Sequence, residues 1–187
     1  MRRVPVILAM LAALVVVPAV RAATLAGVTM PDEVTVAGKT LKLNGMGLRK
    51  KFIIKVYVAG LYVEHTSNDA AEIVDADEVK RIDMHFLTNK ATKKKMDAAW
   101  LEGFEKNSPQ DYEALKERVE KFAGLFPDMK DGDVIELTIV PGEGTTAALN
   151  GEVKGNIEGA DFAKALLKVW LGHEPPSEGL KEGLLGR

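Results

Sequence analysis

The chain has 187 residues, with 25 Lys+Arg against 27 Asp+Glu, a formal net charge of −2, and no cysteine. This balance leaves no global field to hold nucleic acid, so none is expected as a partner. The absence of thiols excludes cysteine nucleophiles, Cys-zinc sites and redox work, and leaves stability to packing.

Met1-Arg2-Arg3 precedes an apolar run from Val4 to Val20, and Val20-Arg21-Ala22 puts small or moderate residues where a signal peptidase reads. The pattern predicts a secretory signal over residues 1–22 and a periplasmic protein. Pro5 and Pro18 trim the run below the roughly 20 apolar residues of a spanning helix, so no stable membrane anchor is expected. Residues 23–187 read as a single domain.

Glu33 to Ala37 and Thr40 to Leu43 alternate polar and apolar around Gly38-Lys39, which predicts a hairpin. Asn44-Gly45-Met46-Gly47 is expected to break that pattern. Phe52 to Val63 is the longest strand candidate. Its even positions Phe52, Ile54, Val56 and Val58 are apolar, and its odd positions mix Lys55 and Tyr57 with Ile53, Ala59 and Leu61. The odd face can line a cavity or meet a helical layer.

A short helix capped by Asn68 or Asp69 runs through Val74, and Lys80 to Phe86 is another strand. Thr92 to about Lys106 has Met96, Ala99, Trp100 and Phe104 at helical spacing. Ser108-Pro109 is expected to cap the next helix, with Asp111 three residues on, through Phe126. Val134 to Val140, Thr145 to Leu149 and Glu152 to Ile157 are strands, the last two joined by Asn150-Gly151. A helix from Ala160 to Leu171 ends at Gly172, and a short surface helix is expected in the tail from Pro175 to Gly186. Strands, two helices, three strands and a helix is not βαβ alternation. It predicts an α+β fold, a mainly antiparallel sheet with helices on one face.

His65, His85 and His173 have no ligand spacing, and no nucleophile elbow or phosphate loop is present, so neither metal nor cofactor is expected. Lys90, Lys93, Lys94 and Lys95 cluster at a helix start, where the macrodipole disfavours cations. They are either a solvated face or a contact for an anionic partner, a carboxylate or a lipid headgroup. Arg49 beside a glycine-rich stretch and Tyr57 in mid-strand could hold a carboxylate; by composition alone they read as a surface arginine and a core tyrosine.

Gly45-Met-Gly47-Leu-Arg49, Val56-Tyr57-Val-Ala-Gly60-Leu-Tyr62, the stretch from Ile157 through Phe162 to Trp170-Leu171-Gly172, Pro176-Ser177 and Leu184-Leu185-Gly186 together resemble the chalcone isomerase-like family. The resemblance covers residues 33 to 187 and implies that family's open β-sandwich, a large sheet with a helical layer. In the plant isomerase an arginine orients a phenolate while a tyrosine, an asparagine and a threonine support cyclisation. The resemblance puts Arg49 at the arginine but Tyr57 at the threonine, Thr92 at the tyrosine and Ala99 at the asparagine, so three of four positions depart. In the family's fatty-acid-binding branch an arginine and a tyrosine hold a carboxylate, and Arg49 and Tyr57 match in type. The segment between them is shorter here. On one straight strand they would lie about 26 Å apart, so a shared site requires a sharp bend near Arg49–Lys51. The resemblance thus implies a non-catalytic binder of a fatty acid or similar amphipathic carboxylate through Arg49 and Tyr57. The alternatives are an intramolecular lyase (isomerase) and a structural envelope protein with a filled core.

Overall fold

The computed structural model describes residues 21–187, so the expected signal, apart from its last two residues, lies outside the described residues. In chain order these form β1 (Ala22–Leu25), β2 (Val28–Pro31), β3 (Glu33–Val36), β4 (Lys39–Lys51), β5 (Ile54–Val63), α1 (Ala70–Asp75), β6 (Lys80–Phe86), α2 (Lys93–Asn107) and α3 (Tyr112–Ala123). There follow β7 (Val134–Val140), β8 (Gly144–Leu149), β9 (Glu152–Ile157), α4 (Ala160–Leu171) and α5 (Glu178–Leu184). Strands β3 to β9 make one seven-stranded antiparallel sheet in sequence order, and β1 pairs with β2 alone. The α+β architecture expected from the element order is the one the chain adopts.

Alternation along β5 sorts the two faces of the sheet. Tyr57, Ala59, Leu61 and Val63 join the helix-side core with Phe104, Phe122 and Phe162. Val58 and Tyr62 point the other way, into a smaller core closed by Met30 of β2. The Tyr62 hydroxyl donates to the Pro31 carbonyl at 3.0 Å and ties the β1–β2 hairpin to the sheet. Sequence reasoning missed this hairpin, because its first residues also read as the end of a signal. Its Ala26-Gly27 turn has φ of 52° and 93°, the paired left-handed geometry that suits two-residue hairpins.

β4 corrects the expectation of a break at Asn44–Gly47, for it runs unbroken through both glycines. A Cβ on Gly45 would collide with the Gly183 carbonyl and one on Gly47 with the Leu180 carbonyl. The glycines therefore let the α5 backbone lie directly on the strand. The tail helix is correspondingly not a surface segment, since Leu180 and Leu184 are fully buried. Gly47→Ala should cost about 1–3 kcal/mol by overpacking this contact. Urea unfolding checks it, and an unmoved midpoint would mean α5 docks loosely.

Three other boundaries move, one of them the end of α3, which stops at Ala123 and not at the expected Phe126. Ser108 does not cap α3: residues 108–111 form a turn, with the Asp111 amide donating to the Ser108 carbonyl at 3.1 Å, and the helix starts at Tyr112. The Ser108 hydroxyl is buried without a partner. The strand expected from Phe52 starts at Ile54, because Phe52-Ile53 is a turn. α4 has the expected bounds and buries Phe162, Leu166, Val169 and Trp170, but this face meets α2 and α1 as well as β8. Trp100 of α2 sits edge-on to Phe122 at 5.0 Å and to Trp170 at 5.5 Å, which locks the helical layer together.

Candidate functional site

Gly45, Gly47 and Arg49 lie on one face of β4 at the strand period of two. α5 covers the glycines, and Arg49 emerges beside Pro176, which leads into that helix; both line one cavity. The sharp bend that a shared site requires is the Phe52-Ile53 turn, which folds β5 back along β4. Arg49 pairs directly with Tyr57 across the hairpin, and its guanidinium carbon stands 5.9 Å from the Tyr57 ring centroid. The register then jumps to Lys50 opposite Lys55, leaving Val56 as the extra residue of a bulge. Val56 and Tyr57 consequently both reach the cavity.

That cavity holds about 400 Å³ between the β4–β5 end of the sheet and α2, a volume suited to a small ligand. Val56, Met84, Met96, Trp100 and Val169 give it apolar walls. Three residues of its lining carry a donor without an acceptor. The Tyr57 oxygen accepts from Trp170 Nε1 at 3.0 Å, so its hydroxyl proton is left to donate elsewhere. Arg49 makes no ion pair among the described residues. Trp100 Nε1 is buried with no partner, a state that costs free energy unless something accepts from it.

The mouth is lined by Lys51, Lys90 and Lys95 together with Glu102. Lys106 contacts Glu102 at 2.7 Å and holds its carboxyl below the usual range, which leaves the mouth cationic. An anion with an apolar body matches this set of walls and donors; a guanidinium fork and a phenol are good carboxylate donors.

The positions at which the resemblance puts the isomerase's tyrosine and asparagine are differently placed. Thr92 precedes α2 as its N-cap. Ala99 is in the cavity wall with only a methyl. His65 contacts Glu78 at 2.9 Å at the surface, and no group of three or more possible metal ligands occurs among the described residues. Trp100 and Trp170 are the site residues that the sequence hid. Both fall on apolar helical stripes, and nothing in the spacing tells a satisfied indole from an orphaned one.

A seven-stranded antiparallel sheet with a helical layer, enclosing an apolar cavity lined by Arg49 and lysines, defines an α+β domain with a ligand-sized cavity. Residues 22–186 match the family described as chalcone isomerase-like, and the chain belongs to that family. A solved structure similar to it is that of a fatty-acid binding protein of Arabidopsis thaliana, AtFAP1. The TM-score is 0.68 at 20% identity, covering 88% of this chain and 96% of that one; at this identity the likeness is one of fold. No curated protein matches the sequence.

Proposed function

We propose that the protein is an exported, periplasmic, non-catalytic binder of an amphipathic carboxylate, with a fatty acid as its ligand. The observation that carries this reading is the unpaired Arg49 guanidinium over Tyr57, beside the orphaned Trp100 indole, in the wall of an apolar cavity. The carboxylate accepts from Arg49 and Tyr57 while the chain lies among Val56, Met84, Met96 and Val169. A fold shared with a fatty-acid binding protein supports the same ligand class. The open cavity weighs against the filled-core alternative.

Native mass spectrometry of protein purified from cells tests the proposal. One fatty-acid equivalent per chain is expected, and a bare chain that also takes up no added fatty acid would overturn it.

Against the isomerase alternative stand Ala99 in the wall and Thr92 at a helix cap, which leave no positioned acid–base partner of the expected type beside Arg49. Chalcone turnover is expected at the uncatalysed rate, and turnover abolished by Arg49→Ala would reverse this reading. For export, the expected mature terminus is Ala23, which keeps the pairing of Ala23 with Met30 in the β1–β2 hairpin. Intact mass decides; a Met1 species held in the membrane fraction would contradict it.

A further inference from the structure

The two most exposed large apolar side chains among the described residues are neighbours at the β4–β5 turn: Phe52 is 91% exposed and Ile53 96%. Phe52 also has a φ of +56°, a left-handed backbone region uncommon for a bulky residue. A hairpin turn favours Asn or Gly there, as at Asn150-Gly151. Turn formation therefore does not account for an aromatic ring at this tip.

Around it stand Lys50, Lys51 and Lys55 on the hairpin, with Lys90 and Lys95 across the cavity and Lys94 next to Lys95 in the first turn of α2. All six are exposed, and none has a carboxylate partner among the described residues. Of the nearby acids, Asp97 is engaged by Lys93 at 2.9 Å and Glu102 by Lys106 at 2.7 Å, while Asp128 accepts from the Lys93 backbone amide at 2.6 Å. The first turn of α2 bears lysines and no acid, against the helix dipole. The whole chain has a net charge of −2, so this cationic end is a local feature.

We propose that this end docks on an anionic bilayer, with Phe52 and Ile53 inserted among acyl chains and the six lysines on phosphate headgroups. Lys51, Phe52, Lys90 and Lys95 line the cavity, so its mouth then faces the lipid. Docking follows from the surface itself; its use, loading the cavity from the membrane, rests on the carboxylate-binding reading above. Two side chains are far too little for a stable protein interface, which buries about 800 Å² per partner and is depleted in lysine. For reversible lipid binding, a small apolar wedge with a basic collar is enough. No helix among the described residues is long and apolar enough to cross a membrane, so the contact is peripheral.

Flotation with vesicles of phosphatidylcholine, with and without phosphatidylglycerol, tests this, comparing variants that share the same N-terminal residues. Binding should need phosphatidylglycerol and weaken at high salt. Lys50→Glu and Lys94→Glu should each weaken it about fivefold or more, and Ile53→Asp about tenfold. A Phe52→Trp variant gives a local readout as its difference from the wild type, which carries Trp100 and Trp170, with blue-shifted emission on these vesicles and quenching by brominated acyl chains. Wild type that does not float, Ile53→Asp that floats equally well, or an unquenched Phe52→Trp signal would each overturn the proposal. Ile53→Asp should still bind fatty acid normally without vesicles. If fatty-acid binding fails while tip-dependent flotation persists, the ligand reading falls and docking stands.

Discussion

Arg49→Ala should weaken fatty-acid binding by about 1.5–3 kcal/mol, roughly 10- to 150-fold in Kd, the range for a hydrogen bond to a charged group. The loss reaches that range because Arg49 lines an apolar cavity and makes no ion pair among the described residues, the carboxylate in that lining, Glu102, being engaged by Lys106 at 2.7 Å. Removing it leaves a carboxylate with the neutral Tyr57 donor and the exposed lysines of the mouth. Tyr57→Phe removes one neutral donor and should cost less, about 0.5–1.5 kcal/mol. It also frees Trp170 Nε1, which now donates to the Tyr57 oxygen at 3.0 Å, so part of its effect should appear as lost stability without ligand. Calorimetric titration of both variants checks the order. Equal losses would move the carboxylate away from the arginine, and no loss in either would remove the site.

Phe162→Ala should lower stability by about 3–5 kcal/mol in urea unfolding. Phe162 is completely buried where α4 meets the helical layer, with its ring 5.3 Å from Phe104 and 5.6 Å from Phe122. Truncation leaves a void among rings that α2, α3 and α4 hold in place, so the site cannot easily collapse. A loss below about 1 kcal/mol would mean that α4 is peripheral. The variant should also weaken ligand binding indirectly, because α4 carries Val169 into the cavity wall and Trp170 to the Tyr57 hydroxyl.

The fold was largely legible because its elements are periodic and clearly punctuated. The Asn150-Gly151 turn, the alternation of Val134–Val140 and the helical stripe of Ala160–Leu171 each state their structure locally. The failures lie where tertiary contact overrides local chemistry. Gly45 and Gly47 look like breakers, yet they serve a helix more than 130 residues away, a partner that no local window contains. Phe52-Ile53 looks like strand, because apolar residues are rarely chosen for an exposed hairpin turn. That misreading hid the geometry joining Arg49 to Tyr57. The site's residue types were therefore legible, and their proximity was not. The orphaned Trp100 indole was beyond reach in principle, since hydrogen-bond satisfaction depends on neighbours from other elements.

The central claim is that this cavity selects a carboxylate through Arg49, and titrating a fatty acid against the alcohol of the same chain length measures it most directly. With equal apolar tails, the difference in affinity reads the headgroup alone. The account predicts one site per chain, the acid bound about tenfold or more tighter than the alcohol, and that preference lost in Arg49→Ala. Acid and alcohol bound equally by the wild type, or a preference that survives in Arg49→Ala, would contradict it.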